Sequence, residues 1–341
     1  MTDTTPTVPQ RPPDSVRGAL PTPRRPVWIR PVLLPVAVAV TIGAIFISVY
    51  LSAFHAPAAR DLPVAVVGTS AEATSVAQRL PERSPDTFLL KPVPDREAAR
   101  TAVERGEVFA AYVPGHGESE LLYAGAHGPS VSTLLTSSFD ALARADGERL
   151  TTVDVVPASP EDTRGLVVFY TTFGLVLAGY LFGIMTFQLG PGLPMRRRLV
   201  SLAAFGGAGG LAVACVVSAF GALPAPFLGV AGLVALVAMA VGASTMLLVR
   251  SLGVLGSSVA AVLFMTVGNA TSGGSLPTEF LPAWLEPLST VLPVGVGVRA
   301  VSGLAYFHGD GVLSGIVIPT AWTAAGVGGL FLLEYARRRR A

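Results

Sequence analysis

Cysteine, lysine and histidine are nearly absent from this chain of 341 residues. Cys215 is the only cysteine, which excludes an intramolecular disulfide, a cysteine-ligated zinc and a CxxC redox pair. Lys91 is the only lysine, and Leu90 and Pro92 flank it. A phosphate cradle of the Walker A type ends in Gly-Lys-Ser/Thr, so the chain has no such nucleotide site. The four histidines, His55, His116, His127 and His308, are scattered and read as loop or membrane-boundary residues. There is no HExxH, no GxSxG and no paired-histidine metal spacing. No catalytic, cofactor-binding or metal-ligating set emerges, and the chain reads as a non-enzyme. Charge is also scarce: Asp, Glu, Lys and Arg make up 13%, about half the usual share. What takes their place is apolar. Hydrophobic residues and glycine together reach about 62%, against the roughly 45–50% of a soluble domain. A soluble enzyme and a disordered chain are both excluded.

A bilayer core needs about 20 apolar residues per helix. Six segments qualify: Val32–Phe54, Leu166–Leu189, Leu199–Leu223, Phe227–Val249, Leu252–Ala270 and Val312–Leu333, none holding an Asp, Glu, Lys or Arg. The first is longer than a signal-peptide core and reads as a retained span. Arginine sets the orientation. Arg11, Arg17, Arg24, Arg25 and Arg30 precede the first span, Arg196, Arg197 and Arg198 separate the second from the third, Arg250 follows the fourth, and Arg337 to Arg340 close the chain. Six crossings put all of them on one side, which the positive-inside rule makes cytoplasmic. Residues 55–165 carry ten basic against sixteen acidic side chains, and 271–311 carry Arg299 against Glu279, Glu286 and Asp310. These acidic segments face outward.

Residues 1–31 hold eight prolines and five arginines and read as a disordered cytoplasmic tail; 336–341 form a second basic tail. Residues 55–165 read as an α/β domain in the order β-α-β-α-β-β-α-β. Pro63–Gly68, Thr87–Lys91, Val108–Val113, Glu120–Ala124 and Leu150–Val156 are its strands. Asp95 opens a helix that Gly106 closes. Residues 166–335 form the membrane domain. In it Gly179/Gly183, Gly206/Gly210 and Gly311/Gly315 share helix faces, with packing inside the chain as their default meaning. The candidate Leu288–Phe307 contains Pro293 and Arg299 and would carry the chain's end outside if it crossed, so 271–311 reads as re-entrant. Gly273 and Gly274 permit a sharp reversal, four prolines break the segment, and Phe280, Trp284 and Leu285 are expected in the interface with Glu279 and Glu286 facing water.

This segment resembles the permease subunits of type-2 ABC exporters, and among them the phage-infection-protein-like branch with a large external domain after the first span. The resemblance is carried by Ser272, Gly273, Gly274, Pro277, Leu281, Pro282, Leu292 and Pro293, by Asp162-Thr-Arg-Gly165, by Glu104-Arg-Gly106 and by Val113-Pro114. It implies an α-helical integral membrane protein with six transmembrane helices, a re-entrant hairpin before the last, and a small α/β extracytoplasmic domain between helices 1 and 2. It also implies a homodimer or paired permease in a bacterial cell membrane, both termini cytoplasmic, with ATP on a separate ATPase partner and no cofactor of its own. Similar permeases carry their coupling segment where Gly190–Arg198 lies, which makes Arg196, Arg197 and Arg198 candidates. Charge-free spans suit a lipid-like or amphipathic cargo. Partners are thus membrane lipid and the ATPase, with no nucleic acid. The alternative is an envelope receptor or secretion-assembly scaffold acting through the external domain.

Overall fold

The computed structural model describes residues 29–80 and 86–339. The expected disordered tail, with Arg11, Arg17, Arg24 and Arg25, lies outside them except for its last three residues, and so does Arg340. Helix α1 (Ile29–Phe54) starts inside that tail, with Pro31 in its first turn, where proline is tolerated, and Pro35 within it. Residues up to Gly43 belong to one unit and Ala44–Ala341 to a second, compact one.

Within the second unit, residues 62–154 form a five-stranded sheet with three helices. In chain order these are β1 (Leu62–Val67), α2 (Ser70–Arg79), β2 (Phe88–Val93), α3 (Arg96–Glu104), β3 (Ala110–Val113), β4 (Glu118–Tyr123), α4 (Pro129–Ala145) and β5 (Arg149–Asp154). The element order agrees with the sequence pattern. The strands lie in the order β2-β1-β3-β4-β5, with β3 and β4 antiparallel and the other neighbours parallel. Local chemistry fixes the helix ends. Thr69 and Glu72 make a reciprocal capping box at α2. Asp95 accepts from the Ala98 N–H at 2.8 Å at α3, and Gly106 follows with φ +71°. One face of the sheet is covered by Ala73 and Val76 of α2 and by Val131, Leu135, Phe139 and Leu142 of α4. The opposite face is covered by Ala99, Ala102 and Val103 of α3.

Beyond the sheet the main elements are helices: α5 (Val167–Gln188), α6 (Met195–Phe220), α7 (Phe227–Leu252), α8 (Val254–Ala260), α9 (Glu286–Val291), α10 (Pro293–Tyr306) and α11 (Val312–Arg338). Helix α7 is central, packed by α5, α6, α10 and α11. Small residues make that contact close. Gly179 and Gly183 of α5 lie on Ala238, Gly242 and Thr245 of α7, and a methyl on Gly179 would stand 2.6 Å from the Ala238 oxygen. Gly206 and Gly210 of α6 lie on Ala231, Ala235 and Met239, and Gly315 of α11 lies on Ala300 of α10. Gly311 does something else: with φ +72° it caps the start of α11. The described glycine pairs are therefore used within the chain.

Among the described residues five helices, α1 (over Leu33–Phe54), α5, α6, α7 and α11, are long and apolar enough to cross a membrane. The expected fifth span, Leu252–Ala270, takes a different form. Helix α7 runs on to Leu252, the chain reverses at Gly253 (φ 64°), and Gly256 then packs on the backbone of Leu248 and Val249. The helical stretch beyond the reversal, Val254–Gly268, is short, and its second half is wound as a π-helix over Ala261–Gly268. Fifteen residues rise about 22 Å, less than the roughly 30 Å of a hydrocarbon core.

Candidate functional site: a cleft under the sheet

The four prolines divide 271–311 as expected. A single 3-10 turn covers Thr278–Phe280, Pro287 stands at the start of α9, and Pro293 starts α10. The turn before them is built by the Ser-Gly-Gly run. Ser272 Oγ accepts from the Gly274 N–H at 3.3 Å, and Gly273 has φ +72°. Gly274 has no side chain because the Phe169 ring of α5 occupies that space. Leu281 is buried with Leu285 against Val49 and Ala53 of α1, and Leu292 and Pro293 are buried at the start of α10. Pro282 supplies the carbonyl that the Leu285 N–H donates to at 2.8 Å.

The segment does not lie as an amphipathic strip with its aromatics outward. Phe280 is inserted into the apolar cluster under α2 and α4, and Phe307, just after α10, joins the cluster on the α3 face, its ring against Gly106. One segment thus supplies an aromatic side chain to each face of the sheet. The Arg60 backbone N–H donates to the Glu279 main-chain carbonyl at 2.9 Å, and the Ser159 N–H donates to Tyr306 Oη at 3.4 Å. Of the side chains expected in the interface, Trp284 alone is exposed; Phe280 is buried, and Leu285 is fully buried. The physical reason is that the sheet offers a complete apolar core, a better solvent for Phe280 than the interface.

Between the sheet and this segment lies a cleft of about 490 Å³. Ser272, Gly273, Gly274 and Pro277 line it, together with Phe109, Val168, Val296, Val298 and Ile318. Its ionisable walls are Glu107, Asp162, Glu279, Arg299 and Asp310. Arg299 is bound to Asp310, with Nη2 at 3.0 Å and Nε at 3.1 Å from Oδ2. Asp162 accepts from the Leu166 and Val167 N–H groups at 2.9 and 3.0 Å, so it caps α5. Glu279, expected to face water, is instead largely enclosed: burial holds its carboxyl above the usual carboxylate range, against the opposing hydrogen bonds from its own backbone N–H and from the Thr278 hydroxyl at 3.3 Å. A small chamber against Arg164 and Gly165 adjoins the same Ser-Gly-Gly turn.

His127 lines both spaces. It stands in the connection between β4 and α4, and its ring is enclosed between Phe109, at 4.2 Å, and Phe307, at 4.5 Å and 18° from parallel. Its Nε2 has no hydrogen-bond partner. Burial pushes its pKa down to about 3, which keeps the imidazole neutral at pH 7.

The three candidate coupling arginines separate into two kinds. They stand in the first turn of α6, which begins at Met195 rather than at the expected Leu199. Arg198 is turned inward. Its Nε donates to the Leu193 oxygen at 3.0 Å, its Nη2 to Gly190 and Pro191 at 2.6 and 3.2 Å, and its Nη1 to Thr186, while the guanidinium lies 4.3 Å over the Phe187 ring. It therefore satisfies the Thr186 carbonyl in the last turn of α5 and three carbonyls of the loop that follows. Arg196 and Arg197 are exposed.

No family model, curated protein or solved structure matches this chain.

Proposed function

We propose that the chain is the membrane-spanning subunit of an ABC-type exporter in a bacterial cell membrane, moving an amphipathic or lipid-like substrate with energy from a separate ATPase. The observation that carries this is the cleft: the Ser-Gly-Gly turn, the sheet and α10 together enclose a space with both apolar and ionisable walls, which suits a cargo of both characters. With Val254–Gly268, continued by the residues that flank it, completing a sixth crossing that the helix alone is too short to make, and 271–311 re-entrant, both termini lie in the cytoplasm and the sheet lies outside. Backbone that is neither long helix nor barrel is tolerated at that depth because it lines a cavity. The absence of a Walker A sequence assigns ATP to a partner chain, and two copies of this chain, or one beside a second permease, enclose the path. Closure of the ATPase shifts the helices between access states. Arg196 and Arg197 supply the cytoplasmic contact, since Arg198 is occupied within its own chain.

The scaffold alternative is less favoured because Phe280 and Phe307 tie the sheet to the segment beneath it, whereas a receptor domain needs no such keying. The test is isolation of the tagged full chain in a mild detergent and identification of its companions. An ATP-hydrolysing chain is expected, and Arg196→Glu combined with Arg197→Glu is expected to release it. Recovery without any ATPase would overturn the proposal; retention by the double variant would remove this turn from the coupling role.

A further inference from the structure

The cleft's charges are unequal: four carboxylates face one guanidinium. Two of the carboxylates have their charge answered. Asp310 holds Arg299, and Asp162 holds the first N–H groups of α5. Glu107 has only Arg105, at 4.0 Å between two largely exposed side chains, where an ion pair is weak. Glu279 has no ion pair among the described residues: Arg299, already bound to Asp310, favours its charge only from a distance, and the Thr278 hydroxyl and its own backbone N–H are the donors to its largely buried carboxyl. An enclosed carboxylate without a cation is costly, and the cost falls when a ligand brings the cation. His127 adds a second vacancy, an enclosed polar atom without a partner on the wall of the same cleft. A bare metal ion does not suit these groups, since no cluster of three His, Cys, Asp or Glu residues exists among the described residues. An alkylammonium ion needs less: one carboxylate for the charge and an apolar wall for the chain, here Val296, Val298 and Ile318.

We propose that the cleft binds an amphiphile with a cationic amine headgroup, whose ammonium sits against Glu279 within reach of Glu107 and whose chain lies along α10 and α11. This deepens the exporter proposal, on which it rests only for the ligand being cargo; binding itself is a property of the isolated chain. An amine-headed membrane lipid and a free cationic amphiphile share this chemistry.

The test uses the full-length chain in maltoside micelles at pH 7, with octylamine as probe and octanol and octanoate as controls of equal length. Octylamine is expected to raise the thermal midpoint saturably, and the controls are not. Glu279→Gln, which keeps shape and removes charge, is expected to weaken octylamine about tenfold or more, the loss of one charge-assisted contact. Glu107→Gln, at an exposed position where folding is not at stake, is expected to weaken it about two- to fivefold. Added phosphatidylethanolamine that displaces octylamine identifies a lipid as the source; failure to displace it identifies a free amphiphile, and either supports the site. Octylamine binding no better than octanol, or binding unchanged in both variants, would overturn it. A chain that still recovers its ATPase but shows no amine preference refutes this inference alone.

Discussion

Acid should loosen the sheet through one side chain, His127. In the folded chain its ring lies between Phe109 and Phe307 and holds its pKa near 3, against 6.5 when exposed. Between those values the unfolded state binds a proton that the folded state does not. Stability therefore falls as pH drops below 6.5 and is independent of this group above it. Each pH unit inside the window is worth at most about 1.4 kcal/mol, so lowering pH from 6.5 to 5.0 costs up to about 2 kcal/mol. That corresponds to a midpoint lower by about 3 °C in a chain of this size. Glu279 acts in the opposite direction, because its raised pKa means that acid relieves its burial, so the wild type alone gives a mixed result. The comparison is with His127→Phe, which keeps an aromatic ring in the stack and removes the proton site. Midpoints of both proteins in one detergent, at one heating rate, at pH 7.0 and 5.0, give the difference. The wild type should lose up to about 3 °C more than the variant, and the variant should be at least as stable at pH 7, having no unpaired Nε2. Equal acid sensitivity in the two would refute the reasoning.

Phe307→Ala should cost about 3–5 kcal/mol, measured as a lower midpoint, because a buried ring is removed from the α3 face of the sheet; Leu89→Ala, at an exposed position on β2, should change it by less than about 0.5 kcal/mol. Arg198→Ala should cost at least about 2 kcal/mol in the same assay, leaving the carbonyls of Gly190, Pro191 and Leu193 without their donor, and Arg198→Lys should not restore it, since one ammonium cannot replace a planar fork. Arg196→Glu with Arg197→Glu should leave the midpoint nearly unchanged, which separates a contact defect from a folding defect.

Local signals were legible in the sequence where they are strong. The Val-Ala-Val-Val run, Asp95 before a helix and Gly106 after it place β1 and α3 without help from anything distant, and the resulting element order agrees with the structure. The strand order was not legible, since nothing local says that β1 lies between β2 and β3. Hydropathy ran Leu252–Ala270 together as one span because Leu252 and Val254, on either side of the Gly253 reversal, are both apolar; the break is in the backbone, not in the composition. The Ser-Gly-Gly run led to the cleft, but the groups that give it chemical character did not announce themselves. Phe280 and Phe307 meet partners more than a hundred residues away, and Glu279 looks like any acidic residue in a polar turn until Phe280 beside it is buried. His127 has no periodic neighbour to mark it, and only the fold brings Phe109 and Phe307 to its two faces.

The proposed path through the membrane draws its power from another protein. The most direct measurement is nucleotide hydrolysis in liposomes, by the isolated complex and by the same chain stripped of its companion. Hydrolysis is expected only with the companion present. Hydrolysis by the stripped chain, or its accumulation of octylamine on a proton gradient beyond the passive trapping in protein-free liposomes, would contradict the proposal.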